Sequence, residues 1–568
     1  MVYVFPNPLR AMTQGVLPDL APQSTSKGRG AGLPPLLLGD EAVALAAVHA
    51  GAAAAYGYPG TPSTEILETV IRHADEVGIT AHWCANEKTA YEQALGASMV
   101  GARVMVSMKH VGLNVAMDPF VNSALVNIHG GLVVVVADDP GMHSSQNEQD
   151  SRVLADFARI PCLEPATQQE AYDMTRAAFA LSERFHVPVM VRLVTRLCHG
   201  RAEVVASPPD PRGDVHKFGD ARDWTLLPGN ARRLWQALLE AQPAVAEWVE
   251  ASPWVKVDGD AGRTLVLTTG IARNHLEEVL PEVTDPVVHL HVGAYPAPEF
   301  TLRRLSRLVD RILVLEEGYP FLEGRIRGVL PTPVPVEGKL SGHVPLAGEL
   351  TPDAVRQALG LTLPPQLTSG LQLPMRPPQL CKGCPHGDAF AAVRMVLSDL
   401  DTDAVIAGDI GCYTLGALPP HGTLESCVCM GASIGMAKGA SDAGARPALA
   451  VIGDSTFLHS GVTPLIDAVA HDTDMTVLIL DNGTVAMTGQ QPTALDRSRL
   501  EPVIRGLGVD PEHLHVIRTH PKKVDELAEI IRREVLHPGL SVIVAARECL
   551  EALRHEKKAA KQTEGGAS

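Results

Sequence analysis

Two polar clusters, each closing a short apolar run, carry the clearest chemistry in this sequence. The run Ala448–Ile452 ends in Gly453-Asp454-Ser455, and Met475–Leu480 ends in Asp481-Asn482-Gly483-Thr484. Two apolar runs with a helical stretch between them make a βαβ unit, and α/β sheets bind ligands at the carboxyl ends of such strands. Asp454 and Asn482 stand 28 residues apart. A carboxylate, an amide oxygen and the nearby Thr484 carbonyl are hard oxygen ligands, suited to Mg²⁺ bridging a diphosphate. The plainer alternative for Asp454 is a strand-end acid capping a helix.

Cysteine forms the second group. Cys381 and Cys384 make a C-x-x-C, Cys412 follows 28 residues on, and Cys549 stands after the final apolar run. Four thiolates could hold zinc or a [4Fe–4S] cluster. A C-x-x-C alone could also be a thioredoxin-like dithiol, although that motif normally opens a helix in a small domain. Cys427 and Cys429 are near enough to compete as ligands, while Cys84, Cys162 and Cys198 read as buried small hydrophobes.

The third group lies in the first two hundred residues. Thr61, Ser63 and Thr64 surround an expected helix start, where free N–H groups could hold a carboxylate or hydroxyls could simply cap. Glu87 opens another helix, as a first-turn dipole partner or as an acid facing a cofactor. Lys109 and His110 begin a Gly-containing strand-to-helix turn and are candidates for substrate contact. Residues 138–152, DDPGMHSSQNEQDSR, form a polar loop after a buried strand, the usual place for an active-site rim.

The elements that must position these groups read as α/β throughout. In LLLGDEAVALAAVHAG a strand ends, Asp40 is the expected N-cap, and an Ala-rich helix follows. Strands are expected at 103–108, 132–137 and 189–195, then at 264–268, 287–292 and 311–315. Residues 201–261 read as a helical connector and 363–378 as a Pro- and Leu-rich linker. The first 35 residues are rich in Pro, Gly and Ser and read as a flexible extension without the order of a secretory signal. The stretch after Cys549 is charged or small and reads as a frayed tail.

Composition excludes several classes. The chain has 568 residues, too many for one core, with 45% hydrophobic and 20% charged residues. A net charge of −17 argues against nucleic acid and against anionic membrane surfaces, and no apolar run reaches spanning length. Nine unevenly placed cysteines suit a reducing compartment better than a disulfide framework.

The stretches YPGTPSTE, NEKTAYEQALGAS, SMKHVGLNVAMDP, DDPGMHSSQNEQDSR, CKGCPH, GDIGCYTLG, GDSTFLHSG, DNGTVAMTGQQP and SVIVAAREC together resemble the thiamine diphosphate-dependent 2-oxoacid:ferredoxin oxidoreductases. Within that superfamily the pattern is most similar to the α subunits of the indolepyruvate branch. The resemblance implies a multidomain α/β fold with two doubly wound parallel-sheet domains that bind the cofactor. It divides the chain into an extension (1–35), a pyrimidine-binding domain (36–200), a connector (201–261), a transketolase C-terminal-like domain (262–365), a linker (366–374), a diphosphate-binding domain with Fe–S ligands (375–550) and a tail (551–568).

The resemblance also implies roles. Glu87 would hydrogen-bond the aminopyrimidine of thiamine diphosphate, and Thr61 would meet the substrate carboxylate. Asp454, Asn482 and the Thr484 carbonyl would hold Mg²⁺, with Gly453, Ser455 and Tyr413 also at the cofactor. Cys381, Cys384, Cys412 and Cys549 would bind the [4Fe–4S] cluster. Met487 stands where pyruvate-using relatives have an asparagine, which suits a bulky aryl group or plain core packing. The implied reaction turns an aryl-2-oxoacid and CoA into arylacetyl-CoA, CO₂ and two low-potential electrons. Its implied setting is cytoplasmic, an α dimer within a heteromer with a smaller β subunit, and ferredoxin or another acceptor. Many relatives carry two further cysteine quartets at the C-terminal end; no cysteine follows Cys549 here. The alternatives are a non-oxidative thiamine decarboxylase or lyase, which needs no cysteine quartet, and a non-catalytic scaffold, which needs no Glu87.

Overall fold

The computed structural model describes residues 35–555 and 557, apart from 214, 216–219, 260, 329, 331–332, 366–369, 372–377 and 401–403. The expected N-terminal extension, most of the Pro- and Leu-rich linker and most of the tail therefore lie outside the described residues.

Three sheets organise the chain. The first runs in the order Ala294–Tyr295, Cys162–Leu163, Val189–Val194, Leu132–Asp138, Val104–Lys109, Ala54–Gly57, Thr80–Trp83. Every pairing is parallel except that of Ala294–Tyr295, which comes back from the middle of the chain. The central strands are buried along their whole length, as parallel strands covered on both faces must be, and this is why they read as unbroken apolar runs. The third sheet is parallel throughout, in the order Val405–Ala407, Ala448–Gly453, Met475–Asp481, Leu540–Ala546, Leu514–Arg518. Between them in sequence lies the middle sheet, Val336–Glu337, Arg311–Leu315, Thr264–Thr269, Val287–Val292, Val255–Asp258.

Two sequence expectations are corrected here. The connector contains the helix Pro228–Glu250, but Val255–Asp258 is a strand pairing antiparallel to Val287–Val292. It is an edge strand with Lys256 and Asp258 exposed, so it shows a short alternation instead of an apolar run. The helix placed after Asp40 starts two residues earlier, at Gly39, with Leu38 in the cap position. Asp40 thus lies inside the first turn, fully buried, and caps nothing.

The first and middle sheets are joined by buried charge. Arg152 and Arg192 are fully buried. Arg192 Nε donates to Asp138 Oδ2 at 2.7 Å and its Nη1 pairs with Glu164. Arg152 pairs with Asp150 and donates to the Tyr295 hydroxyl at 3.0 Å and the Glu317 carbonyl at 2.8 Å. Among the described residues, no helix is long and apolar enough to cross a membrane.

Candidate functional site between the first and third sheets

Strands Ala448–Gly453 and Met475–Asp481 are adjacent, with Gly453 opposite Leu480, so their carboxyl ends coincide. That register brings Asp454 to the 481–484 turn. Asp454 Oδ2 accepts the Gly483 N–H at 2.8 Å, and Oδ1 accepts the Ser455 N–H at 2.8 Å. Asn482 Oδ1 accepts the Thr484 N–H at 2.9 Å. Gly483 sits at φ +75°, a backbone shape that a side chain would strain. Burial, and next the Asp481 carboxylate, push the Asp454 pKa up to about 7. Arg497 pairs with Asp481 through Nε at 2.7 Å. Two facing carboxylates share this one guanidinium, so the strand end keeps a net negative charge, and with the amide oxygen the donor set fits a hard divalent cation.

Glu87 faces this loop from the other sheet. It opens the helix Glu87–Met99 and is 6% exposed. A Cβ on Gly112 would lie 2.5 Å from Glu87 Oε1, so the glycine in the 109–114 turn makes room for the carboxylate. Glu87 Oε2 lies 2.7 Å from His459 Nε2, across the domain boundary. Asn86 Nδ2 donates to the His459 carbonyl at 2.9 Å, and the His459 and Tyr58 rings meet edge to face at 4.6 Å. Tyr58 OH and Ser455 Oγ are 3.1 Å apart, and Gln491 Nε2 donates to Glu68 Oε1 at 2.7 Å. These bonds close a cleft beside which a cavity of about 340 Å³ is lined by Tyr58, Trp83, Ser455 and Val485 among others.

His459 is the residue that sequence reasoning missed. It lies in a π-helical turn, Phe457–Gly461, between the Asp454 turn and the helix Val462–Ala470. Such wide turns interrupt α-helices most often at functional sites, but the helical pattern on both sides hides the interruption in sequence. The usable signal was an imidazole five residues after Asp454 in an otherwise apolar or small stretch.

The remaining candidates are distributed around the same cleft. Lys109 is 8% exposed, and Nζ donates to the Ser144 carbonyl at 2.8 Å, while Ser144 Oγ donates to the Thr61 carbonyl at 3.2 Å. Burial lowers the Lys109 pKa to about 8, with Asp139 opposing that fall. The polar loop thus ties Thr61 to Lys109. His110 Nε2 lies 3.2 Å from Asn147 Oδ1, and its Nδ1 has no hydrogen-bond partner among the described residues. Tyr413 is buried, donates to the Ile410 carbonyl at 3.0 Å, and its ring fills the space a Gly453 side chain would need. Met487 is 53% exposed on a short 3₁₀ turn, so the core-packing alternative does not hold.

The nine thiols differ in burial and in what surrounds them. Cys84, Cys162 and Cys198 are buried. Burial and then the Cys384, Cys549 and Cys381 thiols push the Cys412 pKa up to about 12. Cys427 and Cys429, both exposed, respond instead to Asp409 after burial. The Cys549 N–H donates to the Asn482 carbonyl at 3.1 Å, so the fourth cysteine is anchored on the Asp454–Asn482 loop. Arg547 donates to the Gly383 carbonyl at 2.6 Å and pairs with Asp388, tying the C-x-x-C turn to the end of the last strand. Thiols that press one another's pKa upward suit a group that supplies positive charge.

Residues 45–222 match the family described as pyruvate flavodoxin/ferredoxin oxidoreductase, thiamine diphosphate-binding, and residues 409–545 match the C-terminal binding domain of thiamine pyrophosphate enzymes. The two matches cover the two sheets that face each other across the cleft, and they define a thiamine diphosphate enzyme of the 2-oxoacid oxidoreductase class. The indolepyruvate oxidoreductase subunit IorA of Archaeoglobus fulgidus is 37% identical over 547 residues, covering 90% of this chain and 86% of that protein. Its namesakes from Pyrococcus abyssi and Methanothermobacter marburgensis are each 36% identical, covering 93% and 92% of this chain and 87% and 88% of theirs. The chain belongs to this family of indolepyruvate oxidoreductase subunits.

Proposed function

We propose that this chain is the catalytic α subunit of an enzyme that decarboxylates an aryl-2-oxoacid oxidatively, indolepyruvate or a similar arylpyruvate. CoA would take the acyl group to give arylacetyl-CoA and CO₂. Electrons would pass through a [4Fe–4S] cluster to ferredoxin or another low-potential acceptor. The observation that carries this reading is the Cys549 N–H bonded to the Asn482 carbonyl: the thiol cluster abuts the diphosphate-type loop. A non-oxidative lyase has no use for that adjacency.

Asp454, Asn482 and the Thr484 carbonyl would hold Mg²⁺ and the cofactor's diphosphate, with Gly453, Ser455 and Tyr413 lining the place. Thiamine diphosphate, when bound, supplies the electron sink that decarboxylation requires. Glu87, seated against Gly112 and oriented by His459, presents a buried carboxyl group able to hold a proton at a ring nitrogen. A charge-assisted hydrogen bond in so dry a cleft is strong. Lys109, with Thr61 and His110 nearby, would hold the substrate carboxylate, and exposed Met487 would border its aryl side chain. Cys381, Cys384, Cys412 and Cys549 would ligate the cluster, which takes electrons singly. The working assembly is an α dimer with a smaller β subunit, in the cytoplasm.

The test is product analysis with the β subunit present. Phenylpyruvate or indolepyruvate, CoA and a viologen acceptor should yield arylacetyl-CoA with two electrons per CO₂. Release of arylacetaldehyde without acceptor reduction would replace the oxidoreductase by the lyase.

A further inference from the structure

Asp40 presents a physical problem that the cleft does not solve. Its side chain is fully buried, and among the described residues no N–H or O–H group donates to either carboxylate oxygen; its polar neighbour is the weak donor of the Cys198 thiol. Burying a carboxylate with no compensating contact costs several kcal/mol in general, so such a group is protonated, paired or bound to a cation. Across from it are Glu65, in the first turn of the helix Thr64–Val77, and His199, at the end of the helix Thr195–His199. One ligand atom from each of the three lies within 4.8 Å of the other two, the one such trio among the described residues. Glu65 Oε2 faces His199 Nε2 at 3.7 Å, a long ion pair, so Asp40 is the member of the trio with no counter-charge of its own. Cys198 lines the floor beside Asp40 and is outside the trio.

We infer that Asp40, Glu65 and His199 form a site for a divalent cation of the zinc class, separate from the Asp454 loop and from the four thiols. Two carboxylate oxygens and one imidazole nitrogen are the donor set such ions take, with water completing a four-coordinate shell. Asp40 forms the buried base; Glu65 and His199, 37% and 39% exposed, leave the outer side open for entry. Burial raises the Asp40 pKa well above the ordinary value although the Cys198 thiol opposes the rise, and Glu65 adds to it; that is the deficit a 2+ charge would cancel.

The placement gives the ion a task. Asp40 belongs to the first helix, His199 to the segment that closes the first domain, and Glu65 follows Thr61 by four residues. An ion here pins the start of the Thr64–Val77 helix, and with it the loop carrying Thr61, to the two ends of the domain. Thr195, on the His199 helix, donates to Asp139 at 2.8 Å, and Asp139 in turn holds Ser144, the residue that bridges Thr61 and Lys109. The ion is therefore a positioning element for the cleft and touches no reacting atom.

The test uses the cofactor- and cluster-loaded protein, so that both other sites are filled. After exposure to micromolar ZnCl₂ and gel filtration, bound zinc is counted by elemental analysis. One zinc more per chain is expected in the wild type than in His199→Ala, whose exposed position makes it safe for folding, and Asp40→Asn should match His199→Ala. Crystals soaked in ZnCl₂ should show an anomalous peak at the zinc edge among the three side chains. Equal zinc in all three proteins, or a map with no peak there, would overturn the proposal and leave Asp40 as a buried neutral acid.

Discussion

At the junction of the first and middle sheets, buried carboxylates meet guanidinium groups: Asp150 faces Arg152, and Asp138 and Glu164 face Arg192. At the junction of the first and third sheets, counter-charge is scarcer: Asp454 faces Asp481, which shares a single guanidinium from Arg497, and Glu87 faces the His459 imidazole. The pKa directions follow in part: burial still raises Asp138 although Arg192 opposes it, and lifts Glu316 beside Arg152 to about 7. The arginines hold Asp150 down at about 2 despite complete burial, whereas Asp454, equally deep, is pushed up to about 7. The first junction carries its own counter-charges and works as a structural joint. The second is short of positive charge until something binds. Burial of an acid says little about its role; the sign of what surrounds it says much.

Exchanging groups between these roles should separate them. The largest effect is expected at Glu87. Glu87→Gln should lower kcat by roughly two to four orders of magnitude, the scale of lost acid–base catalysis, with the unfolding transition nearly unmoved. Near-full turnover would return the non-catalytic scaffold to contention. Arg192→Met should do the reverse. It takes the guanidinium away from buried Asp138 and Glu164, leaving Asp138 with Ser151 and Glu164 with Arg152 and Tyr295, and should destabilise the first unfolding transition in urea by roughly 3 kcal/mol. A variant as stable as the wild type would show that this joint is not held by charge.

Asp454→Asn sharpens the contrast. Removing a carboxylate that faces another carboxylate should leave the ligand-free protein at least as stable. The stabilisation by Mg²⁺ and thiamine diphosphate, about 2.7 kcal/mol at one hundred times Kd, should vanish in thermal scans. The smallest effect is expected at Lys109. Its pKa is lowered to about 8, so the side chain is charged below that pH and neutral above it. The kcat/KM for the oxoacid should be flat below pH 8 and fall about tenfold per unit above it. Lys109→Met should lose roughly 10- to 100-fold at pH 7, the worth of a hydrogen bond to a charged group, and should lose that limb of the profile. An unchanged limb would assign it to another group.

Much of this arrangement was legible in the sequence because it rests on local pattern. Val104–Lys109, Leu132–Asp138 and Met475–Asp481 are parallel strands buried on both faces, and they appear as apolar runs ending in polar turns. Asp454 and Asn482 could be paired because adjacent parallel strands bring their ends together. What escaped depends on partners distant in sequence or on small shifts. The strand Val255–Asp258 lies at a sheet edge, where three of its four residues are exposed. His459 is positioned by a widened helical turn and bonded to a residue 372 positions away. Asp40 reads as a cap in sequence, but the helix begins two residues early and turns it inward. Arg192 left a trace, a guanidinium in the middle of the buried run Val189–Val194, which is explicable only by carboxylates from other strands.

The central claim is that the thiols beside the Asp454–Asn482 loop hold an electron-accepting cluster. It is tested most directly by measuring iron, acid-labile sulfide and zinc in anaerobically purified protein, alongside Cys384→Ser. About four irons and four sulfides per chain, lost together in the variant, is the expected result. Protein that binds thiamine diphosphate and Mg²⁺ yet contains no iron, or holds zinc on the four thiols, would contradict it.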